Sequence, residues 1–129
     1  MKTTVRRVRG GFFAALFIVG AFADGSLIAT AGFSRRPEVK RNHKGLLWGF
    51  YVTASWRAKG IGKALLQELL TVARAQPGLE QITLTVNTGQ AAAKRLYSSL
   101  GFQVFGHEKC ALKIGDTYVD EEHMVLSLA

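Results

Sequence analysis

The sequence is poor in cysteine and proline, and it has no long apolar run. Cys110 is its one cysteine, which excludes an intrachain disulfide framework and a four-cysteine zinc site. Two prolines beside fourteen glycines are typical of a globular chain with tight turns, not of a low-complexity segment. The longest strongly apolar stretch, Phe12 to Ala23, is too short to cross a bilayer as a helix. With 129 residues, 48% of them hydrophobic and 20% charged, the chain predicts one globular domain over residues 1–129.

Acidic residues are scarce in the first half of the chain. Residues 1–63 contain 12 of the 17 basic residues and two of the nine acidic ones, and the formal net charge is +8. A basic surface attracts phosphate groups, whether they belong to a cofactor, a nucleic acid or an anionic membrane. A solvated basic face without a ligand is the alternative. Because the aromatic residues lie in apolar segments rather than among the basic clusters, we expect no nucleic-acid partner, and we expect no membrane partner.

The N-terminus supports two interpretations. A basic start precedes the apolar stretch Phe12 to Phe22, and the small residues around Ala23 resemble the cleavage site of a secretory signal peptide. Alternatively, Asp24-Gly25 joins two apolar strands, Leu16–Phe22 and Leu27–Phe33, in a hairpin. We favour the hairpin, because the motifs that follow need a complete sheet.

The remaining apolar patterns predict alternating strands and helices. Apolar residues recur on one face from Ile61 to Ala73, as in an amphipathic helix. Gly101 is the predicted C-terminal cap of a second helix, and Gly115-Asp116 is a predicted hairpin turn. The predicted elements are, in order, strands Leu16–Phe22, Leu27–Phe33 and Leu46–Val52, a helix from Ile61, strand Leu79–Val86, helix Gln90–Leu100, and strands Phe102–Ile114 and Thr117–Leu128. This order, β-β-β-α-β-α-β-β, predicts a mixed sheet with two helices in an α/β or α+β domain.

The segment between the third strand and the first helix has the composition of an anion-binding loop. The strand Leu46–Val52 is almost continuously apolar, which is typical of burial on both faces. It is followed by Arg57-Ala58-Lys59-Gly60-Ile61-Gly62-Lys63. The first N–H groups of a helix have no partner inside the helix, and the helix dipole adds about half a positive charge there. Glycines let an anion approach the backbone, so the pattern favours a pyrophosphate.

Three phosphate-binding patterns compete here with an ordinary strand-to-helix turn. A Walker A loop requires glycine where Arg57 stands and serine or threonine where Ala64 stands. A dinucleotide fingerprint requires a third glycine where Leu65 stands, and Glu80 at about the right distance is weak support by itself. The pattern Arg/Gln-x-x-Gly-x-Gly/Ala fits Arg57 to Gly62 without exception.

A second motif follows the loop at a specific distance. After Tyr51-Val52, the Arg57–Gly62 loop and the strand Leu79–Val86, the chain reads Ala93 to Phe102 (AKRLYSSLGF). In this order and spacing, over roughly Leu16 to Leu128, it resembles the GNAT N-acetyltransferase superfamily. The acetyl-coenzyme A (acetyl-CoA) signature of that superfamily is a strand ending in Tyr-Val, Arg-x-x-Gly-x-Gly, a strand, and Ala-x-x-Leu-Tyr-x-x-Leu-Gly-Phe. The resemblance implies a GNAT-like fold and an enzyme that uses acetyl-CoA as cosubstrate and no metal.

The resemblance also implies a role for each matching residue. Backbone groups at Phe50 and Val52 would hydrogen-bond the pantetheine arm, in a slot between the parallel strands Leu46–Val52 and Leu79–Val86. Tyr97 would protonate the departing thiolate; a core tyrosine is the alternative. Gln90 stands where many members carry asparagine and is a weaker cofactor contact. The loop would bind the pyrophosphate through Ala58, Lys59, Gly60, Ile61, Gly62 and Lys63, with Arg57 shaping or contacting it.

The implied reaction is direct transfer of acetyl to an amine, which needs an oxyanion donor and a base. A backbone N–H near Val52 is the candidate donor, and no carboxylate lies on Leu46–Val52 to act as base. Cys110 has a strand position that suits a small buried hydrophobe rather than a nucleophile. A zinc site that combines Cys110 with histidines is disfavoured, because it would rest on one cysteine. The zinc set would be His107, Cys110 and His123. The candidate bases are Glu121, Glu122, His123 and His43. For the first three of these, we favour the alternative interpretation of a solvated acidic cluster without a catalytic role.

The chain is short at its N-terminus for this superfamily. Family domains usually begin with a strand and two helices, yet only about 15 residues precede the first predicted strand. We therefore expect that strand and helix unit to be missing and the acceptor half of the groove to be incomplete, and we predict a homo-oligomer that covers the apolar edge left behind. Besides a cytoplasmic N-acetyltransferase acting on a small-molecule or peptide amine, two hypotheses stay open: a non-catalytic CoA-binding protein and a basic nucleic-acid-binding domain.

Overall fold

The computed structural model describes residues 3–10 and 15–128. Within them lie seven strands, two α-helices and a short 3-10 turn, and the predicted mixed α/β class is confirmed. The chain forms two compact units, one ending at Leu79 and the other beginning at Glu80. None of the described helices is long and apolar enough to cross a membrane. The interpretation of residues 1–129 as one domain, and the parallel pairing of Leu46–Val52 with Leu79–Val86, stay predictions.

The first unit is an antiparallel meander followed by a helix. Its strands lie side by side in chain order. The predicted hairpin is confirmed, because Asp24 (φ +49) and Gly25 (φ +86) both adopt the left-handed conformation that a two-residue type I′ turn requires. The elements of this unit are β1 (Thr3–Gly10), β2 (Leu16–Ala23), β3 (Ser26–Arg35), β4 (Lys44–Val52), the 3-10 turn Ala54–Trp56 and α1 (Ile61–Arg74).

β1 is a strand that the sequence did not predict, so the predicted order lacks its first element. Of the strand and helix unit expected to be missing, the structure therefore contains a strand before the hairpin. β1 runs antiparallel to β2, with Thr3 opposite Ala23. Its sequence, TTVRRVRG, contains two apolar residues among eight, so no hydrophobic pattern marked it. Backbone pairing and side chains such as Arg6, whose guanidinium carbon lies 4.1 Å from the Phe22 ring centre, hold it in place. The apolar edge expected at β2 is therefore covered by β1.

α1 packs through one apolar face against the strands of its own unit. The predicted stripe is confirmed, since five of its members are buried: Leu65, Leu66, Leu69, Leu70 and Ala73. In the sheet of the same unit, Phe17 of β2 and Phe33 of β3 are fully buried, and their rings stack with centres 5.0 Å apart. Full burial of one leucine contributes roughly 1.5–3 kcal/mol. This packing fixes where α1 begins and therefore holds the loop that precedes it.

The second unit is a three-stranded antiparallel sheet with one helix. β7 lies between β5 and β6, and the predicted turn at Gly115 (φ +61) joins β6 to β7. The predicted cap is also confirmed: Gly101 (φ +103) donates to the Ser98 carbonyl and Phe102 to the Tyr97 carbonyl, both at 3.1 Å. This pair of hydrogen bonds is the Schellman motif that ends many helices. The elements are β5 (Gln81–Asn87), α2 (Ala91–Ser99), β6 (Gln103–Ile114) and β7 (Thr117–Ser127).

Candidate functional site

The strand that leads into the loop contains a β-bulge. Gly32 pairs with Trp48 and Thr30 pairs with Tyr51, so β4 has one residue more than β3 between these two pairs. Gly49 lies in the bulge with φ +63, and the Thr30 hydroxyl donates to its carbonyl at 3.3 Å. A bulge turns peptide groups out of the regular ladder and re-aims the side chains that follow. The predicted strand is thus present, but its second half is irregular.

The bulge explains why the predicted burial of β4 on both faces is wrong. Leu47, before the bulge, is 4% exposed, whereas Trp48 is 37% and Tyr51 is 55% exposed. A continuous apolar run is typical of a buried strand, but apolar side chains also occur at protein surfaces, so the run alone does not establish burial. The end of β4 therefore presents large aromatic side chains at the surface of the chain.

Arg57 connects the loop to the end of β4. Its Nε–H donates to the carbonyl oxygen of Val52 at 2.9 Å. Its guanidinium carbon lies 5.4 Å from the centre of the Tyr51 ring, a cation–π distance. Both contacts span the 3-10 turn that separates β4 from the loop. The side chain predicted to shape the loop is thus held by the strand before it.

The loop ends in a helix start that has no side-chain cap. Ala58 and Gly60 have φ +59 and +79, and Gly60 is the N-cap of α1. No side chain bonds to this cap, and the first turn of α1 carries no acidic residue. The N–H of Ala64 donates to the Gly60 carbonyl at 3.1 Å, so it closes the first helical bond and the N–H groups before it lie outside the helix ladder. The arrangement can bind an anion through backbone N–H groups.

Exposed basic side chains surround this helix start. Arg57, Lys59 and Lys63 are all exposed, and Lys59 Nζ lies 5.2 Å from the centre of the Trp56 ring. A Cβ atom added to Gly60 would meet no other atom within 4 Å, so the space above this residue is open. The first unit therefore brings together Phe50, Val52 and the predicted loop residues 57–63 along one continuous segment.

Tyr97 lies in the second unit, in the last turn of α2. It is 6% exposed, and burial raises the pKa of its phenol to about 12. Its ring meets Phe102 edge-on with centres 6.0 Å apart, which is the apolar contact that accompanies the Schellman turn. The phenol is therefore protonated at neutral pH and able to donate.

Gln90 is the N-cap of α2 and is exposed. Its side chain makes no cap hydrogen bond, while its backbone N–H donates to the Asn87 carbonyl at 3.0 Å. The nearby Asn87 amide is used inside the turn, where its Oδ1 accepts from the Gly89 N–H at 3.1 Å. Of these two amides, Gln90 is the exposed one.

Two of the candidate bases on β7 make hydrogen bonds to neighbouring side chains, which a freely solvated cluster would not make. Glu122, 16% exposed at its side chain, accepts from Lys94 Nζ at 2.7 Å. His123 contacts Thr85 Oγ1 through Nδ1 at 3.0 Å and Glu108 Oε1 through Nε2 at 3.3 Å. The solvated interpretation is therefore wrong for Glu122, whereas His123 is hydrogen-bonded at a site that stays partly exposed. Sequence reasoning missed Thr85, Lys94 and Glu108 as partners, because their contacts depend on cross-strand register and on where α2 packs.

Cys110 is exposed, so the prediction of a small buried side chain is wrong. It has φ +54 in a second bulge, where three residues of β6 face Asp120 of β7. The Cys110 N–H donates to Asp120 Oδ1 at 2.8 Å, and Asp120 Oδ2 lies 2.8 Å from His107 Nε2. These two bonds lower the pKa of the Asp120 carboxyl. In residues 3–10 and 15–128, no group of three potential ligands is placed to hold a metal ion.

Known proteins are similar to this chain in sequence. The model of the Acetyltransferase (GNAT) family matches residues 5–102. The L-amino acid N-acetyltransferase AaaT of Escherichia coli is 29% identical over 81% of this chain and 64% of its own length. A spermine/spermidine N(1)-acetyltransferase of Bacillus subtilis is 30% identical over 68% of this chain and 60% of its own. The chain thus spans less than two thirds of both relatives.

Solved structures show the same fold. An acetyltransferase from Salmonella typhimurium, solved with its cofactor acetyl-CoA, superposes with a TM-score of 0.81 at 24% identity and covers 88% of this chain and 65% of that one. The family match covers most of the sequence and includes both motifs on which the resemblance rested. The chain belongs to the GNAT acetyltransferase family.

Proposed function

We propose that this protein is an N-acetyltransferase that moves an acetyl group from acetyl-CoA to an amine. The observation that carries the proposal is the uncapped start of α1, surrounded by three exposed basic side chains and left open above Gly60. Family membership supports it, as does the acetyl-CoA named in the Salmonella structure. The E. coli and B. subtilis relatives are named for amines, namely L-amino acids and the polyamines spermine and spermidine.

The loop would bind the pyrophosphate of acetyl-CoA. Backbone N–H groups between Ala58 and Lys63 would donate to the phosphate oxygens, because the left-handed residues Ala58 and Gly60 interrupt the regular direction of the backbone there. An anion at a helix N-terminus gains about 0.3–1 kcal/mol from the dipole alone. The cationic side chains of Arg57, Lys59 and Lys63 add to that attraction.

The end of β4 would bind the pantetheine arm and the thioester. Peptide groups of Phe50 and Val52 would hydrogen-bond the amides of the arm, since the bulge at Gly49 changes the direction of the backbone there. A backbone N–H near Val52 would donate to the carbonyl oxygen as negative charge develops on it. Gln90, with its exposed amide, is proposed as a further cofactor contact.

Tyr97 would act as the general acid of the reaction. The amine nitrogen attacks the thioester carbon, the C–S bond breaks, and the departing thiolate takes the phenolic proton of Tyr97. The nitrogen loses its extra proton to solvent as the amide forms, and the Tyr97 phenolate takes up a proton from solvent. Holding both reactants in one complex supplies much of the rate, since effective molarities of ~10⁵ M or more are reached by well-aligned partners. The phenol carries its proton at neutral pH, since burial raises its pKa above the ordinary value of 10.

Calorimetric titration with acetyl-CoA tests the cofactor site. We expect the wild-type chain to bind, and Gly60→Val to weaken binding at least 10-fold, because a branched side chain is strained at φ +79 and blocks the approach to the helix start. Gly115→Val is the matched control: it also places a branched residue at positive φ (+61) in open space, but in the β6–β7 turn. Absence of binding by the wild-type chain, or equal affinity of the Gly60 variant, would refute this site.

Thiol release tests the transfer itself. The panel consists of the L-amino acids, spermine and a peptide with a free N-terminal amine, each offered with acetyl-CoA. We expect release that depends on the amine. Binding of acetyl-CoA without release on any member would favour the alternative, a non-catalytic CoA-binding protein. A homo-oligomeric state and a cytoplasmic location stay predictions.

A further inference from the structure

Three side chains of the second unit form a hydrogen-bonded row across its sheet. Thr85 of β5 pairs directly with His123 of β7, and the hydroxyl of Thr85 lies 3.0 Å from His123 Nδ1. On the other side of the imidazole, Nε2 lies 3.3 Å from a carboxylate oxygen of Glu108 in β6. Each strand of the unit thus supplies one member of a hydroxyl–imidazole–carboxylate row.

The order of partners fixes the direction in which this row can pass a proton. Glu108 as a carboxylate only accepts, so the neutral imidazole carries its hydrogen on Nε2 and leaves Nδ1 as the acceptor for the Thr85 hydroxyl. Glu108 is the charged group that contacts His123 from β6; β5 contributes the uncharged Thr85, and the ring of Phe105 lies 6.1 Å from the imidazole. A base held by a carboxylate and joined to a hydroxyl is the arrangement that extracts protons in many enzymes.

The position of the row within the unit fits a role in the reaction. Thr85 is exposed and lies near the carboxyl end of β5, the end from which the chain continues into α2 and Tyr97. His107, the other histidine of this unit, is bonded to Asp120, which also holds the β6 bulge. An acceptor amine is an ammonium ion at neutral pH and must lose a proton before it attacks, yet β4 carries no carboxylate between Leu46 and Val52.

We propose that Thr85, His123 and Glu108 form the proton-accepting relay for the acceptor amine; this rests on the proposed acetyltransferase function. The ammonium proton passes to Thr85 Oγ1 while the hydroxyl proton of Thr85 passes to His123 Nδ1. The imidazolium so formed donates from Nε2 to Glu108. The neutral amine then attacks the thioester carbon, the C–S bond breaks, and the sulfur leaves with the proton of Tyr97. The nitrogen releases its second proton to solvent as the amide forms, and the Tyr97 phenolate takes up a proton from solvent. Thr85 is the catalytic residue, His123 and Glu108 act through it, and His123 later returns its proton to solvent.

The kinetic test compares variants on the panel amine that releases thiol fastest. We expect Thr85→Val and His123→Gln to lower kcat at pH 7 by about 100-fold, within the range of lost general-base catalysis. Thr85→Ser keeps the hydroxyl and should stay within a few-fold of wild type, and Glu108→Gln should lose about 10-fold. As pH rises and the amine deprotonates by itself, the deficits of Thr85→Val and His123→Gln should shrink. Thr83→Val, on the same face of β5, is the control and should keep the wild-type pH profile.

A second readout is independent of turnover. Nitrogen-15 spectra of the histidine rings should show His123 as the Nε2–H tautomer at neutral pH, and Thr85→Val should shift its Nδ1 resonance. A His123 with its hydrogen on Nδ1 would overturn the relay, as would variants with unchanged pH profiles or an acetyl group retained on Thr85 in intact-mass spectra. Failure of the proposed function would be seen separately, as absence of acetyl-CoA binding by the wild-type chain.

Discussion

The side chain of Arg57 reaches back across the turn that follows β4 and donates to the Val52 carbonyl at 2.9 Å. The same guanidinium lies against the Tyr51 ring. The loop and the strand end are therefore fixed to each other before any ligand is bound. Preorganisation of this kind lowers the ordering cost of binding.

We predict that Arg57→Lys raises the KM for acetyl-CoA about 10-fold with a smaller change in kcat. Lysine keeps the charge but lacks the planar Nε–H that bonds the carbonyl. Steady-state kinetics at varied acetyl-CoA measure this split. Arg41→Lys, at an exposed turn position, is the control and should match the wild type. An Arg57 variant with an unchanged KM would show that this connection is dispensable.

Ala58 has a backbone conformation that favours glycine. An L-residue at φ +59 is strained by roughly 1–2 kcal/mol. Replacing it by glycine removes this strain but lowers stability by about 0.4–1 kcal/mol, because glycine gives the unfolded chain more conformational entropy. We predict that Ala58→Gly raises the free energy of unfolding by several tenths of a kcal/mol and that Ala58→Val lowers it. Urea denaturation measures both. Ala92→Gly, inside α2, should instead destabilise by about 1 kcal/mol.

Tyr97→Phe removes the proposed acid and keeps the ring packed against Phe102. We predict that kcat falls about 100-fold, the lower end of the range for general-acid catalysis, with little change in the Kd for acetyl-CoA. Rapid-mixing kinetics and calorimetry measure the two quantities. Full activity in this variant would remove Tyr97 from the mechanism.

The buried phenol of Tyr97 also predicts a pH dependence of stability. Burial raises its pKa from 10.0 to about 12, so above pH 10 the unfolded chain loses this proton before the folded chain does. The contribution of this phenol to the free energy of unfolding is therefore fully present below pH 10 and is lost as pH rises towards 12. The free energy of unfolding, measured by denaturation at a series of pH values between 9 and 12, should fall less steeply with pH for Tyr97→Phe than for the wild type. Equal slopes would show that the phenol is not buried in solution.

Local signals predicted much of the fold. The Asp24-Gly25 turn, the apolar stripe of α1 and the Gly101 cap each depend on residues close together in the chain, and all three are confirmed. The loop from Arg57 to Gly62 was found by the same means. Its residues could be assigned roles through the family signature, and those roles stay predictions.

Features that depend on strand register could not be predicted. The bulge at Gly49 exposes Tyr51, and the bulge opposite Asp120 exposes Cys110, although both residues lie in segments that the sequence predicts as plain strands. The partners of His123 come from strands that are distant in sequence, so no local spacing places them together. β1 was missed for a different reason: backbone pairing, not apolar burial, holds it.

β1 also has a consequence for an encounter between two copies of this chain. It is the outermost strand of the first unit, and Arg6 and Arg7 are exposed along it. Two copies aligned edge to edge through β1 would bring like charges face to face, which disfavours the backbone ladder that such an encounter would otherwise extend. The arginines of this strand therefore disfavour edge-to-edge growth of the sheet from one copy of the chain to the next.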